Sequence, residues 1–458
     1  MNKKRSIIVL ICVLAITLFL FSCTRTQETN DPGTPDKMLT VSPPDRVQLV
    51  FSLWGDPAEQ ETTQEALNIY NNLQDISWVT ALQIPNEEYA AVLQSMAAAG
   101  NMPDAGMALE PTVIGWAREG LLTQIDIFAG QQNRPLEYLA FKDGGKTVAY
   151  SGANEVLALW FNRDMFDKAG VDYPPVTLDT AWTWDEFIET AKKLTFDSNG
   201  NNPDDPGFNK NNIVQYGAYV NQWTWQLEVW SLSNGGRWFS EDGRSIIFDD
   251  AAIEGIQKVI DLHLVHNVAP FIPARSDTGF ANSIAAGNVA MTTEGQWATG
   301  FYAEINIDYG VAVLPYIKNK ANIVTGAPVV VFAGTQHPEE VADFIRWYTD
   351  EENNFGPIEA GWWMPTKMNW YQEPLLTRWV DEVSLRARLP ASAYRTAIVD
   401  VALDLNVTRS TGWYYTPYTY EIINEILNPA MVEAINGTKT VAQVIEEVRP
   451  AMEAALKG

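Results

Sequence analysis

Cysteine is nearly missing: Cys12 and Cys23 are the only two in 458 residues. Cys12 lies inside an apolar stretch near the start, so the body of the chain has no pair for an intramolecular disulfide and no basis for thiol chemistry. Histidine is almost as scarce. His263 and His266 stand three apart on one helix end and His337 is remote in sequence, so no third ligand completes a zinc site. Basic residues are outnumbered 31 to 57, giving a formal charge of −26, and a surface so acidic repels phosphate backbones and makes nucleic acid an unexpected partner. Beyond the N-terminus no run is long and apolar enough to span a bilayer. There is no P-loop, dinucleotide fingerprint, nucleophile elbow or HExxH.

The N-terminus reads as an address. MNKKRS carries three positive charges and runs into an apolar stretch from Ile7 to Phe21, the layout of an export signal. That stretch closes on Leu20-Phe21-Ser22-Cys23, where a small residue precedes a cysteine as lipoprotein signal peptidase requires. Residues 1–22 are therefore expected to be a signal peptide and Cys23 the lipidated first mature residue. Acyl chains there would bury methylenes worth about 0.8 kcal/mol each, so the membrane is met through the lipid anchor only. An ordinary signal peptide with an incidental cysteine is the alternative. Residues 23–46, with Pro32, Pro35, Pro43, Pro44 and Gly33, suit a flexible tether.

Roughly 410 residues remain, enough for two lobes with their own cores. Val47 to Phe51 reads as a buried strand, followed by a Trp54-Gly55-Asp56-Pro57 loop and a helix from Glu59 to Asn72. A helix from Asn86 stops at Gly100; a strand from Asp104 to Leu109 leads to a helix over Val113 to Glu119. Glu155 to Phe161 is an extended apolar run. Thr183-Trp184-Asp185-Glu186 has the polar cap and early carboxylates that open a helix. Further helices are expected at Asp250 to His263, Pro338 to Thr349 and Tyr418 to Ile435. This alternation is that of an α/β protein.

Five segments stand in a telling order: ALWFNRDMFDKAGVDYPP from Ala158, TWDEFIETAKKLT from Thr183, AAGNVAMTTEGQW from Ala285, GVAVLPY from Gly310 and HPEEVADFIRWYTD from His337. Behind a lipobox, they make the chain resemble the extracellular solute-binding proteins of family 1, the sugar-binding components of ABC importers. The resemblance implies an α/β, two-lobe periplasmic-binding-protein-like fold (type II), with the lobes joined by crossover hinge strands. By that analogy lobe 1 holds residues 47–154 plus 326–350, and lobe 2 holds 155–325 plus 351–458. It also implies a carbohydrate closed into the cleft, delivery to the permease subunits of an importer, and a position on the extracytoplasmic face of the cell membrane. One binding unit of this kind needs no oligomer, so a monomer is expected.

Tryptophan is abundant, with 17 in the chain, and an indole face packs well against the C–H face of a pyranose while its N–H still donates. Carboxylates and amides complete such a site by pairing with sugar hydroxyls. Trp54 and Asp56 follow the first strand, where open α/β sheets put ligands, and Glu110 follows the strand containing Met107. Trp223 and Trp225 flank Thr224; Glu294 and Trp297 fall in TTEGQW, where the family places a cleft aromatic at Gly-x-Trp. Trp362 and Trp363 follow Gly361, and Trp413 opens an aromatic cluster with Tyr414 and Tyr415. Each of these also reads as a residue packed under a loop or on the surface, whereas Trp160, Trp184, Trp347 and Trp379 sit inside strand or helix patterns and read as core. An oligosaccharide fits this aromatic wealth better than a monosaccharide.

Asp197, Asn199, Asn201 and Asp205 place oxygens at near-alternate positions, as calcium loops do. Asn202 and Phe208 occupy the places of the EF-hand glycine and glutamate, so a structural Ca2+ site and a plain Asx-rich turn are both open. No other cofactor is expected. Two competing functions remain. A secreted glycosidase also wants tryptophans and a carboxylate pair, though no two acids here are recognisably paired; a sensor lipoprotein presenting its ligand to a receptor kinase differs only in its partner.

Overall fold

The computed structural model describes residues 42–458 apart from 56, 86–87, 124–126, 129–130, 132, 223–225, 271–286 and 306. The expected lipidation site, Cys23, lies outside the described residues. No described helix is long and apolar enough to cross a membrane.

Two sheets organise the chain. The first gathers β1 (Val47–Leu53), β2 (Ser77–Gln83), β3 (Ala105–Met107), β4 (Ala140–Asp143) and β5 (Lys146–Ser151). The second gathers β6 (Glu155–Asn162), β7 (Phe196–Asp197), β8 (Ile213–Val220), β9 (Val289–Gly295), β10 (Tyr309–Ala312), β11 (Asn322–Thr325) and β13 (Thr408–Ser410), while β12 (Pro328–Val331) returns to the first. The orders are β2-β1-β3-β12-β5-β4 and β13-β11-β6-β9-β8-β7, with β10 paired on β6. Burial explains the strand sequences. All eight residues of β6, EVLALWFN, are buried, as in a central strand covered on both faces.

Local signals set the helix boundaries. The Thr183 cap is a full capping box: Thr183 N–H donates to the Glu186 carboxylate at 2.7 Å and Glu186 N–H returns to the Thr183 hydroxyl at 3.3 Å. The helix expected from Val113 instead starts at Glu110, because Pro111 suits a first turn whose N–H groups are unpaired anyway. The expected Tyr418–Ile435 helix is a π segment, Glu421–Leu427, continued by an α-helix, Asn428–Ile435. Pro429 has no N–H and its ring crowds the carbonyl four residues back, and the widened turns lie just before it. Trp160, Trp184 and Trp379 are core residues, whereas Trp347 is half-buried at the rim, against Tyr70.

The chain passes between the sheets at residues 152–154, from β5 to β6, and again at 326–327, from β11 to β12. The two passages touch: Gly152 N–H donates to the Ala327 carbonyl at 2.7 Å. A Cβ on Gly326 would stand 1.9 Å from the Ser151 hydroxyl, so only glycine allows this approach. A third passage lies between the helix Pro338–Tyr348, which packs on the first lobe, and the helix Leu375–Ala387, which packs against Ala298–Glu304 of the second. Glu351 and Lys367 fasten it. Both are buried, their charged groups are 3.2 Å apart, and Glu351 also accepts from Thr366 N–H at 2.7 Å.

Candidate functional site

Parallel pairing brings the carboxyl ends of strands to a common edge, and the passages between lobes face the two edges towards one another. In the first sheet β1, β2 and β3 are parallel and end at Trp54, Ile84 and the Leu109-Glu110 step. In the second, β8 runs parallel to β9, and β11 parallel to β13. β6 is antiparallel, so it enters where they leave: Glu155 pairs with Thr325 and Leu157 with Gly295. This edge therefore carries Glu155, Asn221, Gln222, Glu294, Gln296, Trp297 and Thr411. It is where ligands of open α/β sheets bind.

Glu294 is fully buried at the end of β9. One carboxylate oxygen accepts from Asn221 Nδ2 at 2.8 Å, and the other from Gln226 Nε2 at 2.9 Å and Gly295 N–H at 3.0 Å. Those N–H donors hold and orient the buried acid at the strand end. Trp297 is half-buried and lies back over the strand end. A Cβ on Gly295 would meet its indole at 2.0 Å, so the glycine is what lets the ring settle there. Gln296 between them is fully buried and donates to the Gly361 carbonyl at 3.1 Å and the Tyr394 hydroxyl at 3.0 Å.

Glu110 sits on the facing edge and grips a passage between lobes. Its carboxylate accepts from the Thr325 hydroxyl and from Gly326 N–H, the latter at 2.9 Å. Burial raises its pKa, with those two bonds pulling the other way. Trp54 is half-buried and meets Tyr89 edge-on at 4.9 Å; the Tyr89 hydroxyl lies 2.7 Å from both Ser52 Oγ and the Met107 carbonyl. Asp56, Trp223 and Trp225 lie outside the described residues.

The other described aromatic candidates are buried in the packing. Trp362 lies over Gly300 and edge-on to Phe301 at 4.8 Å, while Trp363 faces Tyr348 at 6.2 Å. The consecutive indoles thus pack against helices of different lobes. Trp413 is buried beside Tyr414, whose ring stacks on Phe141 of β4 at 4.1 Å. Its segment is also tied to the first lobe by Ser410 Oγ donating to the Tyr138 carbonyl at 2.9 Å and Thr419 Oγ1 to that of Pro111 at 2.9 Å.

The Asp197 loop is an Asx-rich turn. One Asp197 oxygen accepts from the N–H groups of Asn199 and Asn201 at 2.8 and 2.9 Å, and the other from Asn209 N–H at 2.9 Å. Burial raises its pKa, but these backbone bonds outweigh it and leave the carboxyl below its ordinary value. Asp205 accepts from Asn202 N–H at 2.8 Å, and Asn199 and Asn201 supply the turn's amides. Among the described residues no group of three or more His, Cys, Asp or Glu could hold a metal.

Asn221, Gln222, Gln226, Gln296 and Glu228 escaped the sequence reading. Their signal was available in part: Asn221-Gln222 directly follows the apolar run of β8, the same cue that singled out Glu294 after β9.

The bacterial extracellular solute-binding protein model matches residues 58–355. The chain is 26% identical over 239 residues to the sn-glycerol-3-phosphate-binding periplasmic protein UgpB of Rhizobium meliloti, covering 51% of this chain and 52% of that one. It is 25% identical over 268 residues to a maltotriose-binding protein of Pyrococcus abyssi, with 55% and 51% covered. The chain thus spans about half the length of the curated relatives it matches. Among solved structures, an ABC substrate-binding protein from Listeria monocytogenes in complex with cycloalternan superposes with a TM-score of 0.74 at 18% identity, over 90% of this chain and 100% of that one. The fold is thereby the two-lobe, type II periplasmic-binding-protein-like fold. Two sheets with their strand ends turned to one another, an acid and an indole at one end, and a family model over most of the chain agree: this is a member of the bacterial extracellular solute-binding protein family.

Proposed function

We propose that this chain captures a carbohydrate, an oligosaccharide in preference to a single sugar, in the cleft between its lobes and hands it intact to the permease subunits of an ABC importer. The observation that carries this reading is Glu294: a buried carboxylate, held by neutral amides, beside an indole lying on Gly295. An acid presented in that way accepts from sugar hydroxyls, and the indole supplies a face for a ring. The names of relatives and structural neighbours, which cite maltotriose and cycloalternan, support the ligand class.

In this reading lobe 1 comprises 47–154 plus 326–350 and lobe 2 comprises 155–325 plus 351–458, with Trp54, Glu110, Glu294 and Trp297 as the first ligand contacts. The chain works as a monomer, without turnover, on the extracytoplasmic face of the membrane, held by acyl groups on Cys23 after removal of residues 1–22. Thermal unfolding against a panel of mono- and oligosaccharides tests it, with release of reducing ends assayed on every hit. A ligand at 100 times its dissociation constant adds about 2.7 kcal/mol of stability. Cleavage would assign the chain to the glycosidases instead, and no shift with any sugar would remove the carbohydrate assignment.

A further inference from the structure

Four side chains on the second lobe share an unusual condition. Gln222, Gln226 and Glu228 follow β8, and Gln296 follows β9; all are more than nine-tenths buried. One side-chain oxygen on each, Oε1 of the three glutamines and Oε2 of Glu228, has no hydrogen-bond partner. Two neighbouring hydroxyls, those of Thr411 and Thr416, are in the same state. They bracket Gly412, whose backbone N–H faces the Glu228 carboxyl. Buried acceptors are costly to leave unpaired, and native proteins leave few. Here they gather on consecutive segments of one cleft edge, with Gln226 also donating to Glu294.

We propose that Glu228 is a ligand-binding residue: with Gln222, Gln226 and Gln296 it forms a wall of carboxyl and amide oxygens that takes the hydroxyl groups of a neutral sugar and turns away a phosphorylated one. The inference rests on the reading that the cleft holds a carbohydrate. Hydroxyl groups bring the donors these oxygens need. A phosphate brings only acceptor oxygens and negative charge, and beside the Trp297 indole the side chains placed on this edge are acids, amides and a hydroxyl, Glu294 and Glu155 among them. Burial, offset in part by the Gly412 N–H, pushes the Glu228 carboxyl up to about 8. At neutral pH it therefore both donates and accepts, which suits a hydroxyl.

The test is calorimetric titration of the full chain in detergent with neutral sugars, maltotriose and mannotriose among them, and with glucose 6-phosphate and sn-glycerol 3-phosphate. A neutral sugar should bind, Glu228→Leu should weaken it about tenfold to a hundredfold, Glu228→Gln should weaken it less, and the phosphates should bind far more weakly. Should Glu228→Leu fail to fold, Gln222→Leu is expected to show the same kind of loss. Wild-type affinity in a folded leucine variant, or a phosphorylated ligand binding as tightly as the neutral one, overturns the inference while leaving the carbohydrate reading in place. Absence of binding to every neutral sugar by the wild-type chain removes that reading, and the inference with it.

Discussion

Glu351 and Glu294 are both buried acids, and the bonds described around them differ in kind. At the third passage between lobes, Glu351 has the Lys367 ammonium 3.2 Å away and three bonds from Thr366 and Lys367 besides. At the cleft edge, the described partners of Glu294 include two side-chain amides and a backbone N–H, all neutral. A charge cancelled on the spot has nothing left to offer and serves as a fastener. Amide donors, by contrast, orient a carboxylate without bringing a charge of their own, and such an acid can still reward a donor from outside.

Lys367→Met tests the fastener. It strands two acids, Asp350 at 2.9 Å and Glu351, one of them buried. A loss of about 3–5 kcal/mol in denaturant unfolding is expected, with sugar affinity of the folded fraction unchanged. If affinity fell as well, the division between fastener and binder would be lost.

Glu228 supplies a third treatment, neutralisation by proton. Its folded-state value of about 8 lies above the ordinary 4.5, so unfolding releases a proton between those limits. Stability from this group is full below the lower limit and is lost as pH rises towards the upper, by up to about 1.4 kcal/mol per pH unit. Melting curves of wild type and Glu228→Gln across this range should therefore converge or diverge with that slope; parallel curves would count against a buried neutral acid.

Glu294→Ala leaves the Asn221 and Gln226 amides without their acceptor. About 2–3 kcal/mol of stability and a loss of sugar affinity of about a hundredfold are expected from unfolding and titration. Trp297→Ala is the mildest in stability, below about 1 kcal/mol for a half-buried ring, but should weaken sugar binding by about tenfold. An unaltered affinity there would make the indole mere packing.

Short-range chemistry was readable from the chain. The apolar run of β6, the Thr183 capping box and the position of Glu294 after β9 are properties of neighbours in sequence. Contacts that turn on distant partners were not. Gln296 meets Tyr394 and Gly361, far along the chain, and nothing near Gln296 announces either. The packing of the tryptophans is hidden for the same reason: Gly300 receives Trp362 as Gly295 receives Trp297, and a glycine two or sixty residues away looks alike in sequence. Glu110 was legible as an acid at a strand end, but its grip on Thr325 and Gly326 depends on β12 running antiparallel beside β3. The glutamine wall has no sequence signature, because amides are common on surfaces and in turns alike.

The contact between Gly152 and Ala327 has a mechanical consequence. Two straps lying side by side, bonded to each other across a gap no side chain can enter, behave like the knuckles of a door hinge: the leaves can swing about one pin, but sliding one strap along the other would break the bond between them. A swing about that pin would keep the bond between the straps, and each return to the shut position would then bring the same atoms of the two edges together.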